Sequence, residues 1–392
     1  MILNNESMNV LLLSPYFPQN FQRFTFALRE AGANVLGIGD APADELGAEL
    51  RSALSEYCHV PNMAEYEELY RAVAYLIYRH GRIDRIDSHA EHWLGLEAQL
   101  RQDFGIPGQK PADLDFNRRK SGMKEIFRQA GVPVPPGEKV TSAEQIRAFV
   151  ARHGFPVVFK PDIGVGAQSV FRVDNEGQLA GVLDYPPKDF FIESFFTGDL
   201  VSFDGLTDSE GGIVFCASHR VSSGIMEIVT EMRPTHYYYR RFIPPEIEDL
   251  GRKAVRGFRI RERFFHTEFL VGKDGTCVGL EINVRPPGGH SLDLMNWACD
   301  IDLYRLWARS VVCGESHFDY ERKYNAAHVG RRERFRYRHA HEDVLRELAP
   351  LLMAHTPYPK VFSVAMGDYA YFLRHPDLET LRAGIAYIEE QA

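Results

Sequence analysis

The chain has 392 residues, 45% of them apolar and 25% charged, with a formal net charge of −9. These are the proportions of an ordinary globular protein with room for two or three domains, and the negative balance excludes a generic nucleic-acid binder, which needs a basic footprint. No apolar run approaches the roughly 20 residues that span a bilayer.

Residues 1–9 lack the basic-then-apolar order of a secretory signal. The five cysteines show no paired metal spacing, and their odd number suits reduced thiols. The expectation is a cytoplasmic protein of enzyme size.

In chain order, residues 10–13 form a short apolar run, 21–31 a helical pattern closed by Gly32, and 34–38 a second strand. This βαβ opening favours a parallel sheet with helices on its faces. The loop after the first strand has no G-x-G-x-x-G, which argues against a dinucleotide at that position. Residues 105–108 close the first domain.

Met123, Ile126, Phe127 and Ala130 lie at helical spacing and stop at Gly131 and Pro133. Ser142 with Gln145 resembles a capping box for the next helix. Residues 155–160 read as a strand ending in Lys160, before a loop with Gly164, Gly166 and Ser169. Glycines let backbone N–H groups approach an anion, and the lysine adds a point charge. The order differs from a P-loop, and a lysine ending an edge strand is also commonplace. The apolar strand 190–193 ends at Glu193, which either meets water or faces a ligand at a hinge. Residues 201–203 and 213–218 alternate as strands around a turn at 208–212, and 245–258 read as a helix.

Next comes the hairpin pattern of residues 264–285. Asp274-Gly275 between alternating runs is a strong signal for a two-residue turn. Counting outward pairs Glu268 with Glu281 and His266 with Asn283, on one face. Directly opposed carboxylates repel by about 1–3 kcal/mol. Two carboxylates, an amide oxygen and open positions for phosphate oxygens suit Mg²⁺. The alternatives are a bulge that separates the glutamates, or carboxylates that point into water. After residues 286–289 a helix begins near Ser291.

Arg332, Arg334, Arg336 and Arg338 recur at period two. As a strand they form a basic face, either for an acidic substrate or simply solvated and ion-paired. Residues 236–241 read either as a substrate-covering loop or as a strand packed by its tyrosines.

Lys120 on a helix, Gly131-Val132-Pro133 closing it, the strand to Lys160 before a glycine loop, Glu193, Glu268 and Glu281-x-Asn283-x-Arg285 occur in this order. The set resembles the ATP-grasp superfamily, carboxylate–amine ligase type, over roughly residues 110–314. The resemblance implies an α/β and α+β protein: an N-terminal Rossmann-like parallel-sheet domain (1–110), a small lid (111–190), a large antiparallel domain bearing the metal hairpin (191–318), and an appended α+β segment (319–392).

By the same resemblance, Lys120 and Lys160 contact the nucleotide phosphates, the loop with Gly164, Gly166 and Ser169 folds over them, and Glu193 reads the adenine and ribose side. Asp199 is the nearest substitute for the acidic residue often found near Leu200. Glu268, Glu281 and Asn283 hold Mg²⁺ or Mn²⁺, and Arg285 faces the transferred phosphoryl group. The implied reaction activates a small carboxylate, an amino acid by expectation, as an acyl phosphate and joins it to an amine, releasing ADP and phosphate. A bicarbonate-using carboxylase and a non-catalytic ATP-binding module remain the alternatives. Arg220, Arg233 and His290 are further candidates for substrate contact. The expected partners are small molecules, with a homodimer as the default assembly and neither nucleic acid nor membrane.

Overall fold

The computed structural model describes residues 7–163, 169–222 and 235–392. Among these residues the first sheet is parallel, with strand Asn9–Leu13 between Asn34–Gly39 and Arg85–Asp87 and with Glu56–His59 outermost. The run is apolar without alternation because both of its faces are covered. Val10 and Leu12 pack with Phe24 and Leu28 of helix Gln22–Glu30. Leu11 and Leu13 pack on the other side with Leu69, Val73 and Leu76 of helix Tyr66–His80.

The second sheet is antiparallel, in the order Gly137–Lys139, Phe190–Ser194, Val157–Pro161, Phe171–Val173. Helices Ala143–His153 and Glu176–Asp184 cover one face, burying Val157, Phe159 and Ile192 against Ile146, Phe149 and Leu179. Side-chain oxygens of Ser142 and Asn175 cap these helices, accepting from Gln145 N and Gln178 N. Strand alternation therefore turns Lys160 and Glu193 to the face opposite these two helices. Strand Phe190–Ser194, which straddles the expected boundary at residue 190, belongs to this sheet.

The third sheet is antiparallel, with nine strands among the described residues. Its order is Cys277–Asn283, Phe264–Val271, Asp199–Thr207, His219–Val221, Thr235–Tyr239, Asn325–Arg331, Tyr369–His375, Leu352–Pro357, and Ile213–Ala217 pairs with Asp199–Thr207. On one face Val201, Phe203, Phe265 and Phe269 pack beneath helix Pro245–Gly257. Gly251 admits Phe203 there, since a Cβ would lie 2.2 Å from its ring. The opposite face carries Ser202, Asp204, His219, Tyr239, His266 and Glu268.

Two expectations change. The segment after residue 318 is no appended piece: three of its strands continue the large sheet, which buries their apolar faces against helix Leu378–Glu389. The arginine row is not a strand. Strand Asn325–Arg331 ends before it, and Arg332 is buried with its guanidinium donating to Ser363 O and Val364 O, both at 2.8 Å. Arg334 and Arg336 are exposed, and Arg338 pairs with Glu390. Carbonyls at the end of a short helix attract Arg332 more strongly than a shared basic face would. Thr235–Tyr239 is a strand with its three tyrosines buried. Among the described residues no helix is long and apolar enough to cross a membrane.

Candidate functional site

Glu268 faces Glu281, and His266 faces Asn283. This is the expected register, reached by a different route. The hairpin connection has three residues, Lys273 to Gly275, closed by Gly272 N donating to Thr276 O (2.8 Å), with Gly275 at φ +86°. That extra loop residue alone would set Leu280 against Glu268 and turn Glu281 to the other face. A bulge next to Phe269, which pairs with Gly279, absorbs Leu280 and restores the pairing.

The opposed carboxylates have positive neighbours within the protein. His266 Nε2 lies 3.2 Å from Glu268 Oε1, and Lys120 Nζ lies 3.6 Å from Glu281 Oε2. Burial would push the His266 pKa down, but Asp204 and Glu268 on either side raise it to about 10, so the imidazole is protonated. Burial opposes the charge on Glu281 too. Lys120, with an Asn283 Nδ2 hydrogen bond of 3.2 Å, nevertheless holds its pKa below the ordinary carboxylate value. The protein itself thus offsets the repulsion between the carboxylates.

Beneath the hairpin, Asp204 is a buried hub. It accepts from His266 Nδ1 (2.6 Å), Ser202 Oγ (2.7 Å) and Tyr239 OH (2.8 Å), and lies 2.9 Å from His219 Nδ1. The hub fixes the ring of His266 and hence its reach to Glu268.

On the four-stranded antiparallel sheet, Glu193 does not meet water. It is buried between Lys160, in close ion contact with Oε1, and Lys124, 3.2 Å from Oε2. Burial alone would raise the Glu193 pKa, but Lys124 and Lys160 lower it. Lys124 has no exposed surface, and burial brings its ammonium down to about 8. Asp162, just past the Lys160 strand, accepts from Ser121 N (2.9 Å) and Ser121 Oγ (3.1 Å), and its carbonyl accepts from Lys120 N (2.7 Å). One residue thereby docks the start of helix Lys120–Gln129 against the end of the Lys160 strand.

Arg285 reaches across to the first domain, donating to Glu91 Oε2 through Nε (3.0 Å) and Nη2 (2.7 Å). Lys120, Glu268, Glu281 and Asn283 thus form one set, joined to Lys160 and Glu193 through Lys124, with Arg285 two residues beyond Asn283. Asp199 stands apart. Its pairing with Val271 places it on the opposite face from Glu268, where it forms an exposed ion pair with Arg220. Ser169 is exposed with φ +61°. Gly164, Gly166 and Arg233 lie outside the described residues. His290 bonds Tyr358 OH through Nδ1 at 2.8 Å.

Lys124 and Asp204, which the sequence analysis does not single out, carry signals in the sequence. Lys124 sits on the same helical stripe as Lys120 and Phe127, among core positions. Asp204 alternates with Phe203 and shares its strand face with Ser202. Glu91 gave no signal, since its partner lies 194 residues away.

The donor set fits Mg²⁺ in the way that cation is commonly held, by one or two carboxylates with phosphate oxygens completing the shell. Among the described residues no three His, Cys, Asp or Glu side chains are grouped to hold a metal by themselves. Two buried lysines beside the Glu193 carboxylate are cationic groups of the kind that suits an anionic nucleotide.

The fold is ATP-grasp. An L-amino acid ligase from Bacillus licheniformis superposes with a TM-score of 0.73, covering 98% of this chain and 97% of that one at 17% identity. An N5-carboxyaminoimidazole synthetase from Staphylococcus aureus gives 0.71 over 97% of both chains at 15% identity. The biotin carboxylase domain of the Hydrogenobacter thermophilus 2-oxoglutarate carboxylase, solved with MgADP and bicarbonate, gives 0.66 over 96% of this chain and 89% of that one at 16% identity. In sequence, 236 residues are 24% identical to the uncharacterized protein y4rH of Sinorhizobium fredii (strain NBRC 101917 / NGR234). That match takes in 56% of this chain and 46% of y4rH, about half the relative's length. No family model matches the chain.

Proposed function

We propose that this chain is an ATP-dependent, ADP-forming ligase that joins a small carboxylate, an amino acid by preference, to an amine. The observation that carries the reading is the convergence of Glu268, Glu281 and Asn283 with Lys120, and with Lys160, whose charge helps to lower the Glu281 pKa. The full-length likeness to an L-amino acid ligase supports the substrate class.

A carboxylate is a poor electrophile, and bound MgATP supplies the γ-phosphoryl group that turns it into an acyl phosphate, which an amine attacks with release of phosphate. Lys120 and Lys160 neutralise phosphate charge, and Glu268, Glu281 and Asn283 hold the cation. Arg285, oriented by Glu91, faces the reacting group. The lid sheet keeps water from the activated acid.

The test is ADP and phosphate release from MgATP with pooled amino acids and other small carboxylates, with and without pooled amines. Glu281→Gln serves as the blank. Release that depends on the amino-acid and carboxylate pool, with or without added amines, and vanishes in the variant is the expected result; no release from any pool overturns the ligase reading. A second reading, carboxylation with bicarbonate, draws on the likeness to the carboxylase domain and the N5-carboxyaminoimidazole synthetase. Bicarbonate-dependent ADP release without any organic acid would favour it.

A further inference from the structure

The ammonium of Lys124 touches two separate sheets. It lies 3.2 Å from Glu193 Oε2 on the lid sheet and donates to Gly279 O, at 3.0 Å, on the outer strand of the large sheet. Among the described residues that strand has no neighbouring strand on its open side, so its outward backbone groups need other partners. At Gly279 the carbonyl takes Lys124 and the N–H donates to Pro133 O at 2.7 Å. A Cβ at Gly279 would lie 3.1 Å from Val132 and 3.3 Å from Phe127, so strand and helix are in close contact here.

Gly279 immediately precedes Leu280, the extra residue of the bulge that brings Glu281 opposite Glu268. One turn earlier on the helix, Lys120 reaches Glu281 itself. Burying an ammonium is costly, and an apolar side chain of similar volume would pack at no such cost. The contacts of Lys124 are of a kind that packing alone does not call for.

Resting on the ligase reading, we propose that Lys124 is a positioning residue that couples nucleotide binding at the lid to metal binding at the hairpin. Lys160 and Lys124 share Glu193. A phosphate that draws Lys160 toward itself loosens the Lys160–Glu193 contact and leaves Lys124 to neutralise that carboxylate. Lys124 does so from the position that also fixes Gly279, and so steadies the bulge and the placement of Glu281. The exchange runs both ways, because binding free energies are reciprocal.

The experiment is calorimetric titration of a non-hydrolysable ATP analogue into wild type and Lys124→Met, each with and without Mg²⁺. The quantity read is the factor by which Mg²⁺ tightens the nucleotide. In Lys124→Met that factor is expected to fall by about tenfold, within the usual range of coupling between sites. A purely structural lysine would lower the melting temperature and leave the factor unchanged; an unchanged factor overturns the proposal. So does a wild type that binds nucleotide with no response to Mg²⁺. Should Lys124→Met fail to fold, Lys124→Gln is read on the same scale. A wild type that binds no nucleotide at all instead overturns the ligase reading.

Discussion

Glu281 is the residue whose chemistry is most exposed to test. Glu281→Gln keeps the shape and the hydrogen bond from Asn283 but removes one of the two carboxylates. The expected outcome is loss of turnover by a hundredfold or more (about 2.7 kcal/mol of barrier) with an unchanged circular dichroism spectrum. Full activity in that variant would remove the metal assignment. Arg263 makes a structural prediction of the opposite kind. It is buried between Glu97 (2.6 Å) and Asp87 (3.3 Å), and it joins the first sheet to the large one. Arg263→Leu leaves Asp87 and Glu97 with a single buried cation, Arg101. Removing one partner of a buried ion network costs about 3–5 kcal/mol, to be read as a lowered urea midpoint.

At the scale of elements, the hairpin shows how two local irregularities cancel. A three-residue connection displaces the pairing by one, and a bulge restores it before the carboxylates are reached. Glycine has a similar positional meaning in the neighbouring strand. A Cβ at Gly205 would stand 2.1 Å from the Phe215 carbonyl and 2.6 Å from the Phe265 ring. Backbone cannot yield as a side-chain tip does, so Gly205→Ala is expected to cost at least about 1–3 kcal/mol, with Gly47→Ala as the control because nothing lies within 4 Å there. Equal denaturation midpoints for the two variants would contradict the close packing of strands Asp199–Thr207 and Ile213–Ala217.

For the whole molecule, the large sheet buries titratable groups in opposite senses, and acid stability follows. His328 is fully buried against Tyr237, and burial lowers its pKa from 6.5 to about 3, with His290 and His236 adding to the effect. Folding then favours the neutral ring, while the unfolded chain takes up a proton below about pH 6.5. The sign is therefore a stability present above pH 6.5 and lost as pH falls toward 3, by up to about 1.4 kcal/mol per pH unit. In His328→Phe this share of the slope is expected to vanish, measured as the urea midpoint at pH 7, 6, 5 and 4. Parallel pH dependence in the two proteins would show that His328 is not neutral and buried.

The chain by itself determined what depends on local pattern. The βαβ opening was legible because an apolar run covered on both faces lacks alternation. The facing of Glu268 and Glu281 follows from a two-residue turn in the sequence reading, and the folded chain reaches the same pairing only because a bulge offsets its three-residue connection. The order of lysines, glycines and carboxylates was sufficient for the resemblance to ATP-grasp proteins. Tertiary structure decided what depends on distant partners. It placed Asp199 on the opposite face of its strand from Ser202 and Asp204, paired with Arg220, because one residue of register reverses a strand's faces. It also broke the arginine row, since carbonyls from residues 363 and 364 bind Arg332. Glu193 became a buried bridge between two lysines in the same way, one on the neighbouring strand of its own sheet and one on helix Lys120–Gln129. Ion pairs across such contacts join residues with no fixed spacing in the chain, so no local pattern announces them.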